Sequence, residues 1–194
     1  MVKRIDTSLI ERIRQASVEI ISEKGITGSS VAAIAKRAQV SAGYLYRHYP
    51  SKEDLVNDLL NDSLHTIAEK IDELIQQNDR IENIGEGIIG FILESANTNP
   101  HRIKFVIMLL NDFSIPNKPS VREQILRIGE TLIEKGRESG SIRNEITVED
   151  FYIALVGIPL QYLATRFRFD FGPHDCNLDA ETRKITELSM CAIK

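Results

Sequence analysis

The sequence predicts an all-α protein, with a small N-terminal helix-turn-helix head of three helices and a larger C-terminal helical domain, about nine helices in all. Three observations carry this prediction. Apolar residues recur at helical spacing in successive segments of the chain. Two short helices meet at a tight turn within residues 31–52. Charge also divides near Lys52, which predicts a boundary between a head of residues 1–52 and a regulatory domain of residues 53–194.

The charge division points to a head that touches nucleic acid. Residues 1–52 contain 9 Lys and Arg against 4 Asp and Glu, a net charge of +5. The rest contains 15 against 24, a net charge of −9, so the total of −4 conceals the basic head. A basic head on an acidic body is expected where only the head meets phosphate, although short segments often deviate by a few charges.

Composition places the chain among ordinary soluble proteins. It has 194 residues, of which 42% are hydrophobic and 27% charged, enough for a sizeable core. The N-terminal residues lack the apolar run of a signal peptide, and no apolar stretch is long enough to span a bilayer. With only Cys176 and Cys191 there is no disulfide framework, so we expect a cytoplasmic protein with no membrane partner.

The first helix is predicted from about Thr7 to Lys24, with a wide apolar face and Gly25 as its stop. Ser30 is placed to cap the second helix, where an apolar stripe from Val31 to Ala38 faces a core. The basic N-terminal residues Lys3 and Arg4 are either phosphate contacts or simply solvated.

The third helix is predicted to begin after Ser41, a good N-cap, and to end before Pro50. Within it Leu45 points into the core. The outward face carries polar and aromatic side chains of the kind that enter a DNA major groove. Those side chains are Tyr44, Tyr46, Arg47 and His48. The alternative is that Tyr44 and Tyr46 are core aromatics, which is less favoured because Leu45 already fills the core position.

The segment VSAGYLYRHYPSKEDLV resembles the signature of the TetR (tetracycline-repressor-like) family of transcriptional regulators. The matching positions are Val40, Ser41, Gly43, Leu45, Tyr46, His48, Lys52 and Leu55, with Tyr49 where the family has phenylalanine. With the first helix, the resemblance covers about residues 7–60. The turn position that usually holds glycine is Gln39, which at positive φ carries strain of about 1 kcal/mol.

The resemblance implies a role for each residue of this surface. Ser41 and Tyr46 would bind phosphates, Ala42 and Tyr44 would meet base edges or a thymine methyl, and Gly43 would let the backbone approach the duplex. Arg47 or His48 would reach a phosphate or a guanine edge, and Lys52 would neutralise a phosphate. Ser30 caps its helix and, at the matching family position, can also touch a phosphate.

Beyond Lys52 the pattern predicts helices over about residues 52–77, 81–95, 100–112, 120–138, 147–169 and 179–193, with a bend at Gly157 and Pro159. In the resembled family, helices 8 and 9 form a homodimeric four-helix bundle and helices 4 to 8 enclose a ligand cavity. By that resemblance the dimer contacts are Leu155, Leu160, Leu163 and Leu188. The candidate cavity residues for a small apolar or amphipathic effector are Phe91, Phe105, Met108, Leu109, Phe113, Tyr152 and Tyr162. The alternative for each is a solid core.

The other motifs in the sequence give little evidence for a further function. Gly85-x-Gly87-x-x-Gly90 fits a dinucleotide fingerprint in form, but it lies in a helical pattern without the preceding strand, so close helix packing is favoured. His65, His101 and His174 have no zinc-ligand spacing. Cys191 is expected to be a small buried hydrophobe rather than a redox switch. No catalytic set can be assembled, so we predict no enzyme activity and no cofactor or metal.

The sequence therefore predicts a cytoplasmic homodimer that binds a palindromic double-stranded DNA operator, most simply a repressor that an apolar effector releases. Two alternatives stay open. One is an enzyme that uses the helical cavity. The other is a helical small-molecule-binding adaptor whose head binds protein instead of DNA, against which the basic head and outward tyrosines count.

Overall fold

The computed structural model describes residues 7–112, 119–171 and 177–194, and these residues form helices with no strand among them. The predicted all-α fold is confirmed. The elements are α1 (Thr7–Gly28), α2 (Val31–Ala38), α3 (Ala42–His48), α4 (Lys52–Gln77), α5 (Ile81–Thr98), α6 (Pro100–Leu110), α7 (Pro119–Glu138), α8 (Val148–Tyr152), a π-helical segment (Ile153–Gly157), α9 (Ile158–Phe169) and α10 (Leu178–Cys191). None of the described helices is both long and apolar enough to cross a bilayer.

Local chemistry sets the helix ends in the N-terminal third. Gly25 interrupts α1 with a φ of 74°, the left-handed conformation that glycine adopts without strain. Ser51 and Asp54 form a complete capping box at the start of α4, in which the side chain of each residue accepts the backbone N–H of the other. The predicted stop of the first helix and the predicted start of the fourth are therefore confirmed.

The helix after Thr147 continues without a break from α8 through the π-helical segment into α9, and Gly157 and Pro159 lie at the junction. Proline has no backbone N–H and crowds the carbonyl four residues earlier. A π segment widens the turn at such a position, and Ile158 donates to the carbonyl of Ile153, five residues earlier. The irregularity that these two residues predict thus takes the form of a π segment.

Two apolar cores divide the molecule. The head core contains residues of α1, α2 and α3, and also Leu55 to Leu60 of α4 and Phe105 and Leu109 of α6. The body core contains the apolar faces of α5, α7 and α10, together with residues of α4 and α6. It also contains the apolar face of the continuous helix made by α8, the π-helical segment and α9, which we call the α8–α9 rod. Because α4 and α6 contribute to both cores, these two helices join the head to the body.

The glycines of α5 serve helix packing, as the sequence predicts. A Cβ on Gly87 would lie 2.5 Å from Leu74 of α4, and one on Gly85 would lie 3.2 Å from Met190 of α10. Cys191, by contrast, is exposed, so the expectation of a buried cysteine was wrong. Its neighbours Met190 and Ile193 occupy the buried face instead.

Gly129 of α7 is a further glycine that lies close to another helix, and substituting it tests how tightly the body is packed. Gly129 of α7 is buried, and a Cβ there would overlap the β-branched side chain of Val148. We expect Gly129→Ala to lower the free energy of unfolding by about 1 kcal/mol, because an overpacking cost of about 1–3 kcal/mol exceeds the gain of about 1 kcal/mol from replacing a helical glycine.

The matched control is Gly90→Ala in α5, where the nearest atom to the added Cβ is 3.5 Å away, an ordinary contact. That variant should be as stable as the wild type or up to about 1 kcal/mol more stable. Urea unfolding at one protein concentration measures both variants. Equal stabilisation by both would show that α7 and α8 are not held as closely as the structure has them.

Candidate nucleic-acid interface and ligand cavity

The tip of the head is a short exposed helix held from below by one buried side chain. Leu45 is fully buried in the head core, while Ser41, Ala42, Gly43, Tyr46 and Arg47 are exposed. Tyr46 has 51% of its surface exposed, and Tyr44 and His48 are half-buried with ring centroids 4.8 Å apart. The alternative that both tyrosines are core aromatics is thus wrong for Tyr46. Tyr49, which follows this helix, is buried.

Two serines begin the helices of this tip. The Ser30 hydroxyl oxygen accepts the N–H of Ala33 at 3.1 Å, and the Ser41 hydroxyl oxygen accepts the N–H of Tyr44 at 3.1 Å. Each serine thus caps its helix, which leaves its own O–H as a donor on an exposed surface. An exposed O–H at a helix N-terminus is suited to a phosphate oxygen.

The turn between α2 and α3 is fixed by α1. Gln39 has a φ of 55°, so it adopts the left-handed conformation at the cost anticipated from the sequence. The guanidinium of Arg12 donates to the carbonyl of Ala38 at 2.5 Å and to the side-chain oxygen of Gln39 at 3.2 Å. These bonds satisfy carbonyls at the C-terminus of α2 and hold the strained residue in place.

Lys52 faces the interior of the head. Its ammonium donates to the carbonyl of Ile26 at 2.7 Å and to that of Ser29 at 3.2 Å. These carbonyls belong to the turn that follows Gly25, so Lys52 ties the start of α4 to the end of α1. The sequence suggests a phosphate contact for Lys52, and the structure adds this internal role, which the pattern of residue types did not indicate.

Ion pairs and hydrogen bonds cross the junction between head and body. Arg14 of α1 lies 3.3 Å from Asp58 and 3.1 Å from Asp62 of α4, and Asp62 also lies 3.6 Å from Arg102 of α6. The Tyr49 hydroxyl donates to Asp58 at 2.8 Å. Burial and this bond to a carboxylate raise the pKa of Tyr49 well above its usual range.

An apolar cavity lies in the body directly beside this junction. Its internal free volume is about 90 Å³, and the space between its lining atoms is about 780 Å³ when the solvent at its open mouth is included. Leu64, Ile67, Ala68 and Ile71 of α4 form one wall, and Val106 and Leu110 of α6 border it. The rest of the lining comes mainly from α7 and the α8–α9 rod, including Ile125, Ile128, Phe151, Tyr152, Leu155 and Leu160. The family resemblance implied a cavity formed by these helices, but it did not identify most of the residues that line it.

Most of the predicted cavity residues lie elsewhere. Phe105, Met108 and Leu109 pack in the head core, because they occupy the face of α6 next to the one that bears Val106 and Leu110. Phe91 is half-buried outside the cavity, and Phe113 lies outside the described residues. The Tyr162 hydroxyl donates to Glu181. Burial and this hydrogen bond to a carboxylate raise the pKa of Tyr162 to about 12. Of the predicted residues that the structure describes, Tyr152 is the one that lines the cavity, and burial raises the pKa of its phenol.

Three of the four predicted dimer residues are unavailable to a partner. Leu155, Leu160 and Leu163 are buried within the single chain, because α5, α7 and α10 cover the apolar side of the rod. Leu188 of α10 is 56% exposed, and Ile153 of the π segment is 50% exposed. Leu188 and Ile153 therefore remain exposed in the single chain, unlike the three leucines.

Comparison with known proteins agrees with this architecture. Residues 13–59 match the family model described as bacterial regulatory proteins, tetR family. The fatty acid metabolism regulator protein of Bacillus subtilis (strain 168) is 26% identical over 141 residues, which are 71% of this chain and 72% of that protein. The HTH-type transcriptional repressor DhaR of Mycobacterium sp. (strain GP1) is 25% identical over 166 residues, 76% and 78% of the two chains.

Solved structures share the fold over nearly the whole chain. The transcriptional regulator FadR of Bacillus subtilis, crystallised in complex with stearoyl-CoA, superposes with a TM-score of 0.78 at 21% identity and covers 95% of this chain and 100% of its own. The ketosteroid transcriptional regulator KstR2 of Mycobacterium tuberculosis superposes with a TM-score of 0.71 at 17% identity, covering 98% and 97%. At these identities the likeness establishes the fold.

Proposed function

We propose that this chain, whose residues 13–59 match the tetR family model, is a DNA-binding transcriptional regulator of that family and acts as a repressor that leaves a palindromic operator when a small apolar or amphipathic effector enters its cavity. It is a regulator rather than an enzyme, since the members of this family are DNA-binding regulators. The proposal is supported above all by the exposed tip of the head, where Ser30 caps α2, Ser41 caps α3 and the buried Leu45 anchors α3 in the head core.

We assign the tip residues as follows. The hydroxyl groups of Ser30, Ser41 and Tyr46 donate to phosphates, which positions the head without selecting a sequence. Ala42 and Tyr44 face base edges, with Gly43 allowing close approach. Arg47 and His48 supply positive charge or a donor to a phosphate or guanine. Lys52 serves mainly by fixing the head, because its ammonium already bonds two carbonyls.

A homodimer would present two such heads on one side. A two-fold axis that pairs the exposed Ile153 and Leu188 with their counterparts would bury apolar surface that is exposed in the single chain. Two heads about 34 Å apart would occupy successive major grooves of a pseudo-palindrome. In this proposal residues 1–52 bind DNA, residues 53–194 bind the effector and the partner, and the protein works in the cytoplasm where its DNA lies.

The effector would act through α4 and α6. Leu64 to Ile71 of α4 border the cavity and Leu55 to Leu60 of the same helix pack in the head core. Val106 of α6 faces the cavity while Phe105, one residue earlier, fills the head core. A molecule that spreads the cavity walls therefore moves side chains of the head core, and it favours the conformer to which it binds more tightly.

A salt series tests the proposal. An operator selected from random duplex should bind with an affinity that falls linearly on a log–log plot against salt. We expect Arg47→Ala to weaken binding about tenfold and to reduce the salt slope by about 1, because one phosphate contact is lost. The matched control is Arg80→Ala, which removes an equally exposed positive charge at the start of α5, away from the tip.

The alternatives predict other results. A salt-independent affinity, or equal effects of the two substitutions, would contradict DNA binding by the tip and would favour an adaptor whose head binds protein. Turnover of a cavity ligand by a protein with no operator affinity would indicate an enzyme.

A further inference from the structure

The cavity lining contains very few groups that could meet a polar atom of a ligand. Among the described residues that line it, all but two carry aliphatic or aromatic hydrocarbon side chains, or none in the case of Gly129. The two exceptions are Gln124 of α7 and Tyr152 of α8, whose amide and phenol are uncharged donors and acceptors. None of these described lining residues carries a charge.

The packing of α7 against α8 brings these two groups to the same cavity. Gly129 of α7 lies against Val148 of α8, where a Cβ on the glycine would be 2.4 Å from the valine side chain. Gln124 is five residues before Gly129, and Tyr152 is four residues after Val148, so each lies about 6–8 Å along its own helix from that contact. Both side chains line the cavity, which therefore has two uncharged polar groups within an apolar chamber.

Two cations of α7 lie within one turn of Gln124: Arg122, which is exposed and outside the cavity lining, and Arg127. Arg127, one helical turn after Gln124, holds Asp72 of α4 through two nitrogen–oxygen contacts of 3.0 and 3.3 Å. The interaction with Asp72 raises the pKa of Arg127. Residues 53–194 also carry a net charge of −9, which opposes the approach of an anion. Among the described lining residues, a ligand carboxylate or phosphate would find hydrogen bonds from Gln124 and Tyr152 but no opposite charge.

We propose that the effector is an uncharged amphiphile: a long apolar body with one hydroxyl, carbonyl or ester group, which Gln124 and Tyr152 bind together. A buried charge without a partner is strongly disfavoured, whereas a single neutral polar group is satisfied by these two side chains. The inference rests on the proposed function, because it takes the cavity to be the effector site, and it names the chemical class that the site selects.

The experiment compares ten-carbon ligands that differ in their head groups. Binding of decanol, decanoate, decylammonium and decanoyl coenzyme A to the full chain is measured by calorimetry at neutral pH. We expect decanol to bind at least about tenfold more tightly than each charged ligand, because none of the described lining residues offers a counter-charge to the charged heads. Tighter or equal binding of any charged ligand, or no binding of decanol, would overturn the inference.

Two variants test whether Gln124 and Tyr152 bind the polar group of the ligand. Tyr152→Phe and Gln124→Leu should each weaken decanol binding about fivefold or more while decane binding stays unchanged, since only the hydrogen bond is lost. Unchanged decanol affinity in both variants would contradict the assignment. Operator release is measured in parallel. A wrong head-group preference refutes only this inference, whereas tight binding of decanol without any effect on the operator refutes the proposed effector-controlled repressor.

Discussion

Replacing Phe105 with alanine is expected to lower the free energy of unfolding by about 3–5 kcal/mol, the largest stability effect we predict for one side chain. Phe105 is 0% exposed and belongs to α6, yet it packs in the head core with residues of α1 and α4. Its removal deletes a large, fully buried aromatic side chain from that core and leaves a cavity that the surrounding helices can only partly fill. Urea unfolding followed by circular dichroism measures the loss.

The matched control is Phe171→Ala, the same chemical change at a side chain that is 61% exposed and stacks only on Phe169 among the described residues. We expect that substitution to change stability by about 0.5 kcal/mol or less. A similar loss in both variants would mean that α6 does not insert into the head. A loss confined to Phe105→Ala would support α6 as a structural link between cavity and head.

The sequence predicts the head well because its chemistry is local. Ser41, Gly25 and the Ser51–Asp54 pair each act within one or two turns of their own position, so residue type at a fixed spacing is enough to place the helix ends. The outward direction of Tyr46 follows in the same way from Leu45 pointing inward. Side-chain direction within a single short helix is a matter of period alone.

The body is less predictable, since what covers an apolar face depends on distant helices. Phe105 and Val106 are consecutive apolar residues of one helix, yet they belong to different cores. Leu155, Leu160 and Leu163 satisfy the pattern of an interface as well as that of an interior, and the packing of α5, α7 and α10 decides for the interior. Periodicity identifies which face of a helix is buried, but it does not identify the helix or chain that packs against that face.

The polar links across the junction also have no sequence signal. Arg14, Asp62 and Arg102 are separated by tens of residues and are ordinary charged residues of amphipathic helices. The same is true of the Ser22 hydroxyl, which lies 2.8 Å from the Nδ1 atom of His101 and so bridges α1 and α6. Only the packing of α1 against α4 and α6 brings these pairs together, and this packing sets how the head is held.

The largest effect on operator binding is expected from Gly43→Glu. Gly43 lies in the first turn of α3 at the exposed tip, and no atom lies within 4 Å of a Cβ built there. A carboxylate at a helix N-terminus is favourable to the helix itself, so the variant should be as stable as the wild type or slightly more stable. The same carboxylate would face the phosphates of the duplex. Like charges brought together at an interface cost several kcal/mol, so affinity should fall at least about 100-fold.

Gly43→Gln separates charge from size, because glutamine has nearly the same shape and no charge. If the tip enters the groove, the glutamine variant should bind much more tightly than the glutamate variant, and the difference between them should shrink as salt rises and screens the repulsion. Operator affinity by fluorescence anisotropy at several salt concentrations, with thermal unfolding of both variants, provides the measurement. If the two variants bind equally well at low salt, the tip does not face phosphate, and the exposed surface from Ser41 to His48 serves some other contact.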